Sequence, residues 1–338
     1  TPVPKGKQDP ALALQHASTV DQILEVCRQH QGALKASQLV PAFHRLAKLL
    51  FQPSSKPLKE KHVTTILRFL WKPIMDDIAT VTGIHAITFL HASAMLDIQA
   101  MREIELVIER VKQTESEWIQ NRVLVSHVFW ALTVLGMEPK IPDSVLKIMN
   151  ALPIRYLKNA VAGLGNVSDL KKEITFRQDD IYLGDKAVKE SRETAWMSDK
   201  NHNFEYSGKV MLPTPMTKSV ICMEDKLKTL LDVEFDGVLV NYYSDGQVGM
   251  RYHVDPDTGT IWEPEQAIVS VGDTRMFILR SMENHEERYE YYVRHSDVIF
   301  MFGDCQEKYQ HCVKVEKDAS FSEPRMSFVF KKKLVKVK

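Results

Sequence analysis

The spacing of apolar residues divides this chain into two parts of different character. From about Ala11 to Ala162, apolar residues recur every three or four positions, as in "VDQILEVCRQH" and "IELVIERVKQ", which is the period of helices that bury one face. Beyond "AVAGLGNVSDLKKE", short runs rich in β-branched and aromatic residues alternate with turn residues, as is typical of β-strands. We therefore predict an α+β multidomain protein, with an all-α domain at residues 1–162 and a sandwich or jelly roll at residues 163–338.

The helical part contains a similar apolar cluster three times, as "FHRLAKLL" at Phe43, "FLHASAML" at Phe89 and "FWALTVLG" at Phe129. The clusters are 46 and 40 residues apart, which is the period of helix-pair repeats. They resemble the octotricopeptide-like helical repeats of algal and protist organellar RNA-binding proteins, which implies a curved surface for nucleic acid. The alternative is an irregular helical bundle that only supports the second domain.

Composition narrows the class of protein further. The chain carries 44 basic and 44 acidic residues and has no net charge, so no global basic field marks a nucleic-acid binder. Its four cysteines lack C-x-x-C spacing, which favours free thiols in a reducing compartment. No apolar run reaches the ~18 residues of a membrane span. We expect an intracellular monomer without membrane contact, in the nucleus, mitochondrion or plastid, with any targeting segment outside this chain.

A candidate metal site begins with His253 and Asp255 in "RYHVD". Residues two apart on a strand point to the same side, so the imidazole and the carboxylate share one space. The same spacing occurs at His285 with Glu287 and at His295 with Asp297. Only the first pair lies on a predicted strand, because "SMENHEERYE" is a charged loop and "RHSD" a polar turn. We therefore predict that His253 and Asp255 are metal ligands.

Two later residues complete a plausible oxygenase site. Two histidines and one carboxylate leave coordination positions open on Fe(II) for a bidentate cosubstrate and O2. His311 begins a later predicted strand and can reach the same interior. Arg325 opens the next strand, where its guanidinium can hold a dicarboxylate through two parallel hydrogen bonds.

The second part as a whole resembles the AlkB-like Fe(II)/2-oxoglutarate-dependent dioxygenases, which oxidatively demethylate alkylated nucleic acids. The resemblance runs from about Ile174 to Lys331 and comprises, in order, "SRETAW" with "FEYSG", "NYYSDG", "HVDPD", "SVGDTRMFILR" and "VIFMFGDCQEKYQH". It implies a double-stranded β-helix dioxygenase domain that uses Fe(II), 2-oxoglutarate and O2. Within that domain it implies three iron ligands, His253, Asp255 and His311.

The resemblance also implies the contacts of the two substrates. The 2-oxoglutarate contacts would be Asn241, Tyr243 and Arg325, with Tyr242 pointing to the other face of the strand. The walls of a pocket for a flipped base would be Trp196, Phe204 and Tyr206. Asp257 would read an exocyclic amine of the damaged base. Arg280, which closes "FILR", either contacts phosphate or pairs with a nearby acid.

The end of the domain departs from the family pattern. The family ends on Arg-x-Asn-x-Thr-x-Arg, whereas this chain reads "RMSFVFK", with Lys331 in place of the second arginine. Because Lys331 begins a run of three lysines, we predict that it is solvated and does not anchor 2-oxoglutarate. The predicted function is oxidative demethylation of N-alkylated bases in DNA or RNA, with release of formaldehyde, succinate and CO2. The alternatives are a protein or small-molecule 2-oxoglutarate oxygenase and a non-catalytic RNA-binding repeat protein.

Overall fold

The chain forms two compact units, Thr1–Met149 and Asn150–Lys338. The structure is a computed structural model, and it describes residues 9–51, 60–183, 186–316 and 323–335. Residues 150–162, which the sequence pattern placed in the helical domain, group with the second unit. The reason is that Ile154–Leu157 is a strand of the second unit's larger sheet, where it pairs with Val298–Met301.

The first unit is helical, as predicted. Its helices are α1 (Pro10–His16), α2 (Val20–Gln29), α3 (Ala36–Leu50), α4 (Glu60–Ile66), α5 (Lys72–Asp76), α6 (Gly83–Met95), α7 (Met101–Gln113), α8 (Arg122–Val134) and α9 (Asp143–Asn150), and a π-helical turn joins α4 to α5. A capping box starts α2, since the Thr19 hydroxyl accepts from the Gln22 N–H and the Gln22 side chain accepts from the Thr19 N–H.

The three apolar clusters of the first unit lie on α3, α6 and α8, and α6 packs against both of the others. The rings of Phe43 and Phe89 are 5.1 Å apart. Trp71, Trp118 and Trp130 are buried and belong to the core of this unit. Among the residues described, no helix combines the length and the apolar character that crossing a membrane requires.

The second unit consists mainly of antiparallel strands. They are β1 (Ile154–Leu157), β2 (Asp180–Leu183), β3 (Lys186–Lys189), β4 (Glu193–Met197), β5 (Phe204–Tyr206), β6 (Lys209–Met211), β7 (Gly237–Tyr243), β8 (Met250–His253), β9 (Trp262–Gly272), β10 (Arg275–Ser281), β11 (Arg288–Val293), β12 (Val298–Met301), β13 (Tyr309–Val313) and β14 (Arg325–Lys333). Its helices are α10 (Val167–Glu173), α11 (Lys218–Leu231) and α12 (Cys305–Lys308). The major sheet has the order β1-β12-β9-β14-β7-β4, and the minor sheet has the order β11-β10-β13-β8. This arrangement confirms the predicted jelly roll.

The major sheet has an apolar outer face, and its buried polar side chains lie on the inner face. The outer face of β7, β9 and β14 packs with α10 and α11 in one core cluster, whose members include Val238, Val240, Val269, Val271, Met326, Phe328, Phe330, Leu170, Val220 and Leu227. Tyr242 packs against that cluster, as predicted. Because successive side chains of a strand alternate, the inner face carries the intervening residues Asn241, Tyr243, Gln266, Ser270, Arg325, Ser327 and Lys331. All seven are buried.

Candidate active site

The predicted metal triad is assembled by two neighbouring strands of the minor sheet. His253 on β8 lies directly opposite His311 on β13, and Asp255 follows β8 by two residues. The Asp255 Oδ1 atom is 3.6 Å from His253 Nε2 and 4.0 Å from His311 Nε2. One ligand atom from each of the three residues lies within 4.8 Å of the others. Two imidazoles and one carboxylate at this spacing fit Fe(II) with positions left for a cosubstrate and O2.

Both histidines present the Nε2 atom to this point. The His253 Nδ1 atom is 2.8 Å from the Arg251 carbonyl oxygen, so it carries the proton and leaves Nε2 free to bind a metal. His311 is buried, and the ring of Phe277 stacks on it at 5.5 Å. Burial, assisted by the neighbouring His253, lowers the pKa of His311 to about 3. His311 is therefore neutral at physiological pH, as a metal ligand must be.

The rival histidines have other roles. His285 is exposed in its loop. The His295 Nδ1 atom accepts from the Gly272 N–H at 3.2 Å. Asp297 accepts from the Tyr156 hydroxyl at 2.7 Å and from the Asn159 N–H at 2.8 Å, so it fastens β1 to the sheet. Neither pair therefore belongs to the cluster formed by His253, Asp255 and His311.

The second oxygen of Asp255 is held away from the histidines by two buried side chains. Lys331 Nζ is 3.5 Å from Oδ2, and Gln306 Nε2 is 3.4 Å from it. The Gln306 carbonyl oxygen accepts from the Asp255 N–H at 2.8 Å, which fixes the backbone as well. Burial alone would raise the pKa of Asp255, but the Lys331 ammonium and the two imidazoles outweigh it and lower that pKa. Asp255 thus remains an anionic ligand.

The prediction that Lys331 is solvated is wrong. Lys331 has no exposed surface, and its ammonium donates to Gln266 Oε1 at 2.6 Å. The physical reason is the alternation of β14, which places Arg325, Ser327 and Lys331 on one face. The prediction treated the three lysines as one solvated run and did not apply this alternation of side chains, which is visible in the sequence.

The three predicted cosubstrate residues are neighbours on the inner face. Arg325 pairs with Tyr243 across β14 and β7, and its guanidinium carbon lies 5.3 Å from the centre of the tyrosine ring. The Arg325 Nε atom donates to Ser270 Oγ at 3.0 Å. Two residues along, Asn241 Nδ2 donates to Ser327 Oγ at 3.2 Å. These groups can orient a dicarboxylate beside the triad.

Comparison with known proteins decides the family. The sequence model of the 2OG-Fe(II) oxygenase superfamily matches residues 154–331 of this chain. This chain belongs to that superfamily. Its members use Fe(II), 2-oxoglutarate and O2, and the His-Asp-His triad of this oxygenase is the matching donor set.

Relatives place the oxygenase near the AlkB proteins. Uncharacterized protein R406 of Acanthamoeba polyphaga mimivirus is 32% identical over 185 residues, which are 54% of this chain and 95% of the relative. Alpha-ketoglutarate-dependent dioxygenase alkB homolog 3 of Bos taurus is 26% identical over 171 residues, 48% of this chain and 58% of the relative. A solved structure titled "The structure of OsALKBH1" is 14% identical with a TM-score of 0.40 and covers 54% of this chain and 98% of that chain. The AlkB-like character predicted from the motifs is confirmed, and the chain spans little more than half of the homolog 3 relative.

The predicted aromatic walls form a packed cluster in the oxygenase, which leaves no room for a base between Trp196 and Phe204. The rings of Trp196 and Phe204 are buried and stack at 4.8 Å, and Trp262 meets Trp196 edge-on at 5.4 Å. A Cβ atom at Gly237 would lie 2.5 Å from the Trp196 ring, so this glycine lets the indole lie against the sheet. Lys331 Nζ is 5.7 Å from the centre of the Phe204 ring, which brings the cluster beside the triad.

A buried ion network that sequence reasoning missed supports the predicted wall residue Tyr206. Its hydroxyl donates to Glu190 Oε1 at 2.6 Å, and Lys209 Nζ donates to Glu190 Oε2 at 2.9 Å. Arg192 lies 3.4 Å from the same carboxylate and donates through Nε to Asn241 Oδ1 at 2.7 Å. The network therefore links the Tyr206 hairpin to a cosubstrate residue. The local sequence does not predict this network, because its charged side chains meet only through tertiary contacts.

The last two predicted residues lie in different places. Asp257 lines a cleft of about 330 Å³ together with Asn201, His202, Asn203, Glu205, Ile261, Trp262 and Lys333. Its negative charge acts on the buried Lys331, so the cleft is close to the triad. Arg280 follows Leu279, which is the residue opposite His311, and therefore points to the other face of the minor sheet. There it donates to Gln310 at 2.6 Å and stacks 3.6 Å over Tyr252.

Proposed function

We propose that this AlkB-like oxygenase oxidatively demethylates N-alkylated bases of DNA or RNA. The observation that carries the proposal is the cleft beside the triad, whose wall combines the Asp257 carboxylate with the Trp262 ring. Its volume of about 330 Å³ is at the lower end of small-molecule sites, which run from about 300 to 1,000 Å³. A hydrogen-bond acceptor in such a cleft can read the Watson–Crick edge of a flipped base, whereas the Trp262 ring is 1% exposed and belongs to the packed aromatic cluster.

The residues around the triad have separable tasks in this reaction. Fe(II), 2-oxoglutarate and O2 together supply the oxidising power that hydroxylates an N-methyl carbon, with succinate, CO2 and formaldehyde as products. His253, Asp255 and His311 would hold the iron, and Asn241, Tyr243 and Arg325 would orient the cosubstrate. Asp257 would accept a hydrogen bond from an exocyclic amine, which adenine and cytosine carry and uracil lacks.

The proposed partner is a nucleic acid with an accessible base. A base inside a duplex is out of reach, so the substrate is a single strand or a duplex with the base flipped out. The helical unit is a second surface that we propose contacts the strand. Arg280 could contribute a phosphate contact only outside the cleft, because it points away from the triad.

The test is product release from a panel of methylated oligonucleotides. Single- and double-stranded DNA and RNA carrying N-methylated adenine, cytosine or uracil are incubated with Fe(II), 2-oxoglutarate and O2, and succinate and formaldehyde are measured together. We expect equal amounts of both products from the amine-bearing bases, and loss of their advantage over uracil in Asp257→Asn. Unmethylated oligonucleotides are the control. Succinate without formaldehyde from every oligonucleotide would contradict the proposal and point to a protein or small-molecule substrate.

A further inference from the structure

Two arginines are buried at the same end of the jelly roll, one from each sheet. Arg325 opens β14 of the major sheet and is 2% exposed, and Arg275 opens β10 of the minor sheet and is 1% exposed. Arg275 shares a strand face with Phe277, whose ring stacks on His311. Its guanidinium therefore points into the interior that contains the triad. Arg275 is not among the site residues predicted from the sequence.

Asp273 ties the two arginines together. Its Oδ2 atom is 3.4 Å from Arg275 Nη1 and accepts from the Glu323 N–H at 3.1 Å, two residues before Arg325. The Asp273 N–H donates to the Pro324 carbonyl at 3.2 Å. Burial lowers the pKa of Arg325 to about 10, and the charge of Arg275 adds to that effect, so the two guanidinium groups act on each other.

Both guanidinium groups have donors left over. Within the described part of the chain, three of their buried nitrogens have no hydrogen-bond partner: Arg275 Nε, Arg275 Nη2 and Arg325 Nη1. The charges of Arg275 and Arg325 both act on the one carboxylate of Asp273. One of these two positive charges is therefore left uncompensated. A buried charge and unsatisfied buried donors are both costly, and an anion with several acceptor sites removes both costs.

We propose that Arg275 is a second guanidinium contact for the distal carboxylate of 2-oxoglutarate. Arg325 and Arg275 would hold that carboxylate from the major and the minor sheet, and its two oxygens offer about four acceptor positions to the three free donors. The assignment rests on the cosubstrate of the superfamily and is independent of which methylated substrate the oxygenase uses.

The experiment compares two 2-oxo acids that differ in the distal carboxylate. Binding of 2-oxoglutarate and of 2-oxobutyrate, which lacks that group, is measured by calorimetry on the full chain loaded with Mn(II) in the absence of O2. A hydrogen bond to a charged group contributes enough that its loss weakens binding about 10- to 150-fold. We therefore expect Arg275→Met to weaken 2-oxoglutarate binding by about that factor and to leave 2-oxobutyrate binding within about threefold.

Two further variants keep the test decisive. Arg275→Met with Asp273→Asn removes the acid that would lose its partner, and it replaces the single variant if that fails to fold. Arg288→Met changes a partly exposed arginine on the same sheet and should alter neither affinity. Equal weakening of both 2-oxo acids would mean that Arg275 only fastens β10 to β14, and unchanged 2-oxoglutarate binding would exclude the contact. Failure of demethylation on every oligonucleotide would leave this result intact.

Discussion

Both faces of the major sheet are buried, and they differ in chemistry. One row across its strands on the outer face consists of Val240, Phe328 and Val269. The row one residue along, on the inner face, consists of Asn241, Ser327 and Ser270. Because side chains alternate along a strand, the same three strands provide the apolar core on one side and the site on the other. Burial by itself does not distinguish the two faces. The inner face is distinguished by polar side chains such as Arg325, whose Nη1 donor has no hydrogen-bond partner among the described residues.

The largest effect should follow from removing the anionic iron ligand. Asp255→Ala deletes the only carboxylate of the triad and leaves Lys331 as a buried charge without its partner, a change that typically costs ~3–5 kcal/mol of stability. We expect no measurable metal-dependent turnover of 2-oxoglutarate and a loss of Mn(II) affinity beyond the roughly 10- to 100-fold caused by losing an outer-shell partner. His295→Ala should stay within a few-fold of wild type. Full turnover in Asp255→Ala would overturn the assignment of the triad.

Arg325→Met should produce the next largest effect and probes the inner face alone. Arg325 is buried, and breaking its desolvated charge pair with the cosubstrate carboxylate, which would then keep only Arg275, should cost ~3–5 kcal/mol, roughly a 150- to 5,000-fold loss of 2-oxoglutarate affinity. Titration of 2-oxoglutarate against succinate release measures this. Metal affinity should remain near that of wild type, because Arg325 does not contact the triad residues. A comparable loss of metal affinity would mean that cosubstrate binding and metal binding cannot be altered separately by a change on the inner face.

The matched change on the outer face is Phe328→Ala. Phe328 is fully buried in the apolar cluster, and truncating a buried phenylalanine typically costs ~3–5 kcal/mol of stability. Denaturant unfolding should report that loss. The affinities for Mn(II) and 2-oxoglutarate should be unchanged in the protein that remains folded. A selective loss of cosubstrate binding without a loss of stability would break the distinction between the two faces.

How much of this site the sequence predicted depends on the range of the contacts. His253 with Asp255 could be predicted because their spacing is a local feature, although β8 ends at His253 and Asp255 lies just beyond it, and the order of the motifs supplied His311 and Arg325. Lys331 was misassigned although the period of two on β14 contained the answer, because a run of lysines was given more weight than the alternation. Arg275 and Glu190 could not be found, since a charge is recognised as buried only once its distant partners are known.

Lys331→Met tests the corrected role of that residue. Its ammonium pairs with the Asp255 oxygen that faces away from the histidines, so it orients a ligand without touching the metal position. Loss of such a partner typically weakens metal binding 10- to 100-fold, and we expect that reduction in Mn(II) affinity by calorimetry. Lys331→Arg should recover much of it. Mn(II) affinity equal to that of wild type in Lys331→Met would show that the buried ion pair does not position Asp255.

The smallest effect concerns a buried polar group for which no ligand role is proposed, His91 on α6 of the helical unit. His91 is buried, its ring stacks on that of His127 at 4.1 Å, and the ring of His44 is 5.8 Å away. Burial, followed by the charges of His127, His44 and Lys48, lowers the pKa of His91 well below its ordinary value. The folded protein therefore keeps His91 neutral, while the unfolded chain takes up a proton below about pH 6.5.

The sign of the pH dependence follows from that difference. Stability from a neutral His91 is fully present above about pH 6.5 and is lost as the pH falls, by up to about 1.4 kcal/mol per pH unit for one proton. We expect the free energy of unfolding of His91→Leu, measured by the helical circular dichroism signal, to fall less steeply between pH 7 and 5.5 than that of wild type. His16→Leu, at an exposed position, should retain the wild-type slope. If His91→Leu also retains the wild-type slope, the histidine cluster takes up protons without unfolding. The buried polar groups of the helical unit would then accommodate charge, as those of the inner face do.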